Sequence, residues 1–240
     1  MIAKILIDNI TKNDLICEWG LSFYIEYNGH KILLDTGASG NFAENAKQMG
    51  IHLDEIEYGV LSHAHYDHAD GMPTFFEENK TAKFYLRKGA GENCYGKKNF
   101  FMYKYNGIQE GILGNYAERI EYVEGDYKLL EGVYLIPHKV QGLEAIAKKA
   151  SLFVKENGKM FPDDFAHEHS LVFDTPKGLV VFNSCSHGGV DNIITEVLAT
   201  FPEKEICAYI GGLHLYKATE EDVRALAKRT KETGITKIIT

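Results

Sequence analysis

Residues 61–72 read LSHAHYDHADGM, which puts His63, His65, Asp67, His68 and Asp70 inside eight positions. In an extended or looped segment, residues two apart project to the same side, so His63 and His65 can bind one ion together. Asp67 and His68 follow after the chain turns and can face a second ion nearby. Neutral imidazole nitrogen and carboxylate oxygen are the usual nitrogen and oxygen ligands of zinc. The alternative for this segment is helix capping and loop hydrogen bonding. So many titratable groups in so short a span would then repel one another or be costly to desolvate without a cation. The spacing HxHxDH therefore reads as two metals served by one loop.

The rest of the chain supports a folded domain around that loop. It has 240 residues, 45% of them hydrophobic, enough for a sizeable core. The formal net charge of −8 argues against sequence-independent nucleic-acid binding. A bound divalent cation would still reverse the field locally. Cys17, Cys94, Cys185 and Cys207 are scattered and form no CxxC pair, which speaks against a disulfide framework and a zinc ribbon. The N-terminal MIAKILIDNITKND lacks the features of a signal peptide. No apolar run reaches the roughly 20 residues of a membrane-spanning helix. The expectation is a soluble, cytoplasmic protein that meets a small-molecule substrate, with no nucleic-acid or membrane partner. Composition leaves room for an oligomer.

Periodicity places the elements. AKILIDN, LSFYIEY and KILLDTG read as strands, with Asn28-Gly29 a hairpin turn between the last two. SGNFAENAKQMG reads as a helix burying Phe42, Ala46 and Met49 and stopping at Gly50. EYGVLSHA is a short strand feeding the histidines, and a helix starts soon after them. EHSLVFDTPKGLVVF gives two strands joined by TPKG. VDNIITEVLATF is an amphipathic helix, ICAYIGGLHL a strand and loop, and ITKIIT a last strand. TEEDVRALAKRTKETG is a helix with Thr219 as cap and Val223, Leu226 and Ala227 as its buried stripe. Residues 87–134 hold half of the tyrosines, together with Phe100, Phe101 and many glycines, without a helical period. They read as an insertion of loops and short strands, either a cover for the core or an aromatic lid or substrate wall. The chain is expected to be one domain over 1–240, with two sheets and helices outside them.

SHAHYDHADG resembles the signature of the metallo-β-lactamase superfamily, and ILLDTG resembles that superfamily's strand ending in aspartate. EWGLSFYIE, EHSLVF, SCSH and GGLHL are similar to one branch, that of archaeal dihydropterin-ribofuranosylaminobenzene-phosphate synthase. The resemblance implies an α+β fold, a four-layer αββα sandwich with the metal site at one edge between the sheets. It implies His63, His65 and His187 as ligands of one metal, and Asp67 and His68 as ligands of a second. Asp67 is also the expected catalytic group, orienting the attacking hydroxide. Asp35 would orient the site as a hydrogen-bond acceptor; the alternative is simple turn chemistry. Cys185 lies where many relatives place a bridging aspartate, as a thiolate ligand or an inert cysteine. His214 would contact substrate or the second metal, or serve structure alone. His169 would line the cavity, Glu168 would support a ligand or move a proton, and Asp70 would sit behind the ligands near a helix start. The branch usually continues past the last strand into a Gly-His-Cys-Thr-Gly-like loop whose histidine completes the second metal. This sequence stops at KIIT, so the C-terminal end is expected to be shortened.

The resemblance implies a hydrolase using one or two Zn²⁺, with Mn²⁺ or Fe²⁺ as alternatives, on an ester, phosphodiester or related small molecule. A condensing synthase joining a pterin to an aminobenzene riboside phosphate is the second reading. A non-catalytic, metal-stabilised binding or sensing module is the third.

Overall fold

The structure is a computed structural model and describes residues 1–99 and 102–240. Phe100 and Phe101, counted above in the aromatic stretch, lie outside the described residues. The chain divides into two compact units, Met1–Val123 and Glu124–Thr240.

In the first unit, β1 (Ile2–Ile7), β2 (Ser22–Tyr27) and β3 (His30–Leu34) pair antiparallel in succession. Asn28 and Gly29 have φ of 51° and 87°, the two left-handed residues that a tight hairpin with native twist requires. Helix α1 (Asn41–Gln48) buries Phe42, Asn45 and Ala46. Met49, expected on that face, is half-buried; the amide of Asn45 is inside instead, donating to the carbonyls of Leu6 and Ile16. Next come β4 (Tyr58–Val60), the short α2 (Tyr66–Ala69), α3 (Met72–Glu78) and β5 (Lys83–Arg87). An antiparallel pair follows, β6 (Cys94–Asn99) with β7 (Met102–Tyr105), then α4 (Ile112–Asn115) and β8 (Ile120–Val123). The sheet order is β1-β2-β3-β4-β5-β8, and β3, β4, β5 and β8 run parallel. Phe75 of α3 meets Phe84 of β5 edge-on, ring centroids 5.3 Å apart, and both are fully buried. Such a pair adds about 0.5–1.5 kcal/mol to the area it buries.

The second unit begins with β9 (Tyr127–Leu130), β10 (Val133–Pro137), α5 (Leu143–Ala150), β11 (Leu152–Glu156) and β12 (Lys159–Pro162). It continues with β13 (His169–Thr175), β14 (Gly178–Phe182), α6 (Val190–Thr200), β15 (Ile206–Ile210), α7 (Glu220–Glu232) and β16 (Ile238–Ile239). The sheet order is β16-β15-β14-β13-β10-β9. Val190, Ile193, Ile194 and Val197 of α6 pack on Val172, Val181 and Tyr209 of the sheet. Each such side chain contributes roughly 1.5–3 kcal/mol on burial.

Residues 87–134, read as loops and short strands, do contain short strands: β8 is the edge strand of the first sheet, and β9 and the start of β10 belong to the second. In α7, Thr219 does cap the helix, accepting from the amide of Asp222, but Val223 and Ala227 are exposed. Leu226, half-buried against the α6 cluster, and buried Thr230 face inward instead, an i, i+4 pair rather than the wider stripe. Among the described residues, no helix is long and apolar enough to cross a membrane.

Candidate metal centre

In both units the chemistry-bearing loops leave the carboxyl ends of neighbouring parallel strands. In the first unit, Asp35 follows β3 and the histidine loop follows β4, with Leu34 opposite Val60 in register. The amide of Asp35 donates to the carbonyl of Val60 at 2.9 Å, so the two loops emerge side by side. Asp35 is fully buried and has φ of 60°. That left-handed conformation is uncommon for a residue with a Cβ and persists where surroundings enforce it.

The carboxylate of Asp35 takes three hydrogen bonds. The amide of Ser62 donates to Oδ1 at 2.7 Å; the Ser62 hydroxyl and His68 Nδ1 donate to Oδ2 at 2.6 and 2.8 Å. An ionised carboxylate only accepts, so His68 carries its proton on Nδ1 and its Nε2 bears the lone pair. With its hydrogen spent on Asp35, the Ser62 oxygen accepts from His63 Nδ1 at 2.8 Å, which likewise makes Nε2 the lone-pair nitrogen of His63. One carboxylate thus sets the tautomer of two histidines. Thr36, next along, holds the His68 carbonyl through its amide at 2.8 Å and its hydroxyl at 3.0 Å.

The rings gather closely. The centroid of His63 is 4.8 Å from that of His65 and 4.2 Å from that of His68. A ligand atom of His63 lies within 4.8 Å of one on His65 and of one on His68; His65 stands in the same relation to Cys94. Asp67 Oδ2 is 3.7 Å from His68 Nε2, too far for a hydrogen bond, though both atoms could reach one ion at the usual ~2.0–2.2 Å. Imidazoles oriented through Nδ1, as those of His63 and His68 are, beside a thiol and a carboxylate form a donor set suited to a borderline-soft divalent cation.

The end of the β6–β7 pair is built onto this loop. The amide of Tyr66 donates to the carbonyl of Asn106 at 3.1 Å, and His65 and Gly107 form an isolated bridge. Asp70 accepts from the amide of Gln109 at 2.8 Å; burial, against that bond and with Asp67 nearby, pushes its carboxyl up to about 6. Tyr66, Asp70, Lys104, Tyr105, Gln109 and Glu110 line a cleft of about 340 Å³.

In the second unit, the turn carrying Cys185 and His187 follows β14, and His214 follows the adjacent parallel β15. Gly211 makes their approach possible: a Cβ there would lie 1.9 Å from the carbonyl oxygen of Asn183, and its φ is 139°. The His214 ring centroid is 4.5 Å from that of His187. His187 Nδ1 donates to Glu168 Oε2 at 2.6 Å, its amide donates to Glu168 Oε1 at 3.2 Å, and Phe165 stacks on the ring at 5.3 Å. With Nδ1 engaged by Glu168, Nε2 is the nitrogen that a metal would meet. Burial works against charge on His187, yet Glu168 and Cys185 raise it to about 10. A carboxylate behind a histidine is how metal ligands are usually held.

The first unit therefore brings together His63, His65, Asp67, His68 and Asp35; the second brings together Cys185, His187, His214 and Glu168. His169 opens β13, buried and opposite Pro137 in register. Among the described residues, Asp67, His169 and His214 belong to no close set of three or more candidate ligands. Sequence reading missed Cys94, the buried pair His167 and Asp163 (Nε2 to Oδ2, 2.9 Å) and His138, bonded to two glutamates. None of these carries a spacing signal.

Comparison with known proteins agrees with the motifs. The family model described as the metallo-beta-lactamase superfamily matches residues 20–147. The chain is 30% identical over 241 residues to a 7,8-dihydropterin-6-methyl-4-(beta-D-ribofuranosyl)-aminobenzene-5'-phosphate synthase of Methanocaldococcus jannaschii, covering 92% of this chain and 79% of that protein. It is 27% identical to an uncharacterized protein of the same organism, covering 88% of this chain and 78% of the relative. A crystal structure of a metal-dependent hydrolase of the beta-lactamase superfamily superposes with a TM-score of 0.82 and 28% identity, covering 98% of this chain and 85% of that one. The fold class is the mixed α and β, αββα type expected from the motifs. On the match to the family model and the likeness to the synthase, this chain belongs to the metallo-β-lactamase superfamily.

Proposed function

We propose that the protein is a metal-dependent hydrolase, using zinc, that cleaves an ester, phosphodiester or related bond in a small molecule. The observation that carries this reading is the tautomer control described above: Asp35 fixes His63 and His68, and Glu168 fixes His187, each with Nε2 as donor. In the proposed assignment, which rests on the family pattern, His63 and His65 with His187 hold one ion, and Asp67 and His68 face a second. Zinc held there would supply a lowered pKa for bound water, towards ~7, and would stabilise developing negative charge. Asp67 would orient the attacking hydroxide. Asp35 and Glu168 keep the imidazoles from turning during the reaction. His214, beside His187, contacts the substrate. The partner is a small molecule, and the cell compartment is the cytoplasm. Turnover of model phosphodiesters or esters that requires added metal and disappears in His65→Ala tests the proposal. Metal-loaded protein inactive on phosphodiesters, thioesters and lactones alike would count against it.

The likeness to the M. jannaschii synthase favours a second reading, in which the same donors serve a condensation. Saturable binding of a dihydropterin by the metal-loaded protein would select this reading over general hydrolysis.

A further inference from the structure

His138 follows β10 directly and lies almost entirely inside the second unit, its side chain 6% exposed. Both ring nitrogens meet carboxylates. Nδ1 is 2.9 Å from Glu196 Oε2 on α6, and Nε2 is 3.1 Å from Glu168 Oε1. Each carboxylate also accepts from backbone amides, as an ionised group does. Glu196 Oε1 already accepts the amides of Lys139 and Val140, at 2.7 and 2.8 Å. Glu168 already accepts Nδ1 and the amide of His187. Two acceptors facing one ring leave a single arrangement in which no lone pairs oppose each other: an imidazolium donating twice. The ring also lies against Gly188 of the turn that carries His187: a Cβ there would lie 2.4 Å from His138 Cε1.

We infer that His138 is a positioning residue of the proposed metal centre, a buried imidazolium that anchors the Glu168 carboxylate so that Glu168 can hold His187 with Nε2 presented to the ion. The inference rests on the reading of His187 as a metal ligand. Without that positive charge, Glu168 and Glu196 would be two buried carboxylates sharing one neutral ring with a single N–H, and one of them would face a lone pair. The direction of the titration agrees: burial opposes charge on His138, yet its bonds to Glu168 and Glu196 raise it to about 9.

Two measurements test this on the full chain. Nitrogen-15 imidazole spectra of the metal-free wild-type protein at neutral pH should show both nitrogens of His138 protonated; a neutral ring with one bare nitrogen would overturn the inference. Titration with cobalt(II) alone should show His138→Gln weakening binding about 10–100-fold, the range for loss of a group supporting a ligand. Wild-type cobalt affinity in a folded His138→Gln protein would also overturn it. His187→Ala separates the two levels of the argument. If it loses cobalt while His138→Gln does not, the role of His138 fails and the metal reading stands. If His187→Ala binds cobalt as the wild type does, the assignment of His187 fails first.

Discussion

Asp35 Oδ2 accepts from His68 Nδ1 at 2.8 Å across 33 positions of sequence, and both residues are almost wholly excluded from water. The same carboxylate oxygen takes the Ser62 hydroxyl, so the tautomers of His63 and His68 both trace back to one side chain. Asp35→Ala should therefore act twice. It strands the Ser62 amide, the Ser62 hydroxyl and His68 Nδ1 without their acceptor, at roughly 1–3 kcal/mol for each buried donor left unsatisfied. It also frees two imidazoles to turn. The expected result is a lower urea midpoint together with metal binding weakened about 10–100-fold. A loss of stability with unchanged metal affinity would show that Asp35 serves the fold alone.

The network around Glu168 should give the metal-free protein a distinctive pH profile. Folding raises His138 from 6.5 to about 9 and His187 from 6.5 to about 10. A raised folded-state pKa stabilises fully below the unfolded value and is lost as pH climbs through the folded one. Glu168 is lowered from 4.5, so its contribution is present above that value and lost as pH falls below it. Stability in chelator should therefore be greatest between about 4.5 and 6.5 and decline from there through about 10. Denaturant midpoints measured across that range check it. A rise in stability from neutral to alkaline pH would contradict it.

Gly211 offers a backbone test of how His214 is brought to His187. Gly211→Ala puts a Cβ 1.9 Å from a carbonyl oxygen at a φ of 139°. The chain must shift or unfold locally. The expected outcome is a marked drop in melting temperature and loss of the His187–His214 ring contact in the proton spectrum. A variant as stable as the wild type would mean that this turn is looser than the structure has it.

Much of this was legible from local signals. Asn28-Gly29 announced its hairpin because two successive left-handed residues are costly for other pairs. The histidine loop announced itself by density, and Thr219 by its position three residues before Asp222. Position 223 misled because an apolar residue at helical spacing need not be inside; α7 packs Leu226 against the α6 cluster and buries Thr230. The strands IEYV and YKLL, only four residues each and partly exposed, gave no alternation to read. His138 was invisible for a different reason. Its partners lie 30 and 58 positions away, and a single histidine after a strand has no spacing to betray it. Buried charge networks are assembled by topology, and only the fold reveals them.

The central claim is that this chain holds metal through His63 and His65 together with His187. Crystals grown with zinc, with anomalous difference maps recorded on either side of the zinc absorption edge and elemental analysis of the same protein, test it most directly. The account predicts a zinc peak bonded to the Nε2 atoms of His63 and His187 and to His65, with any second peak beside Asp67 and His68. Stoichiometric protein without a zinc peak, or a peak that leaves His63 and His187 uncoordinated, would contradict it.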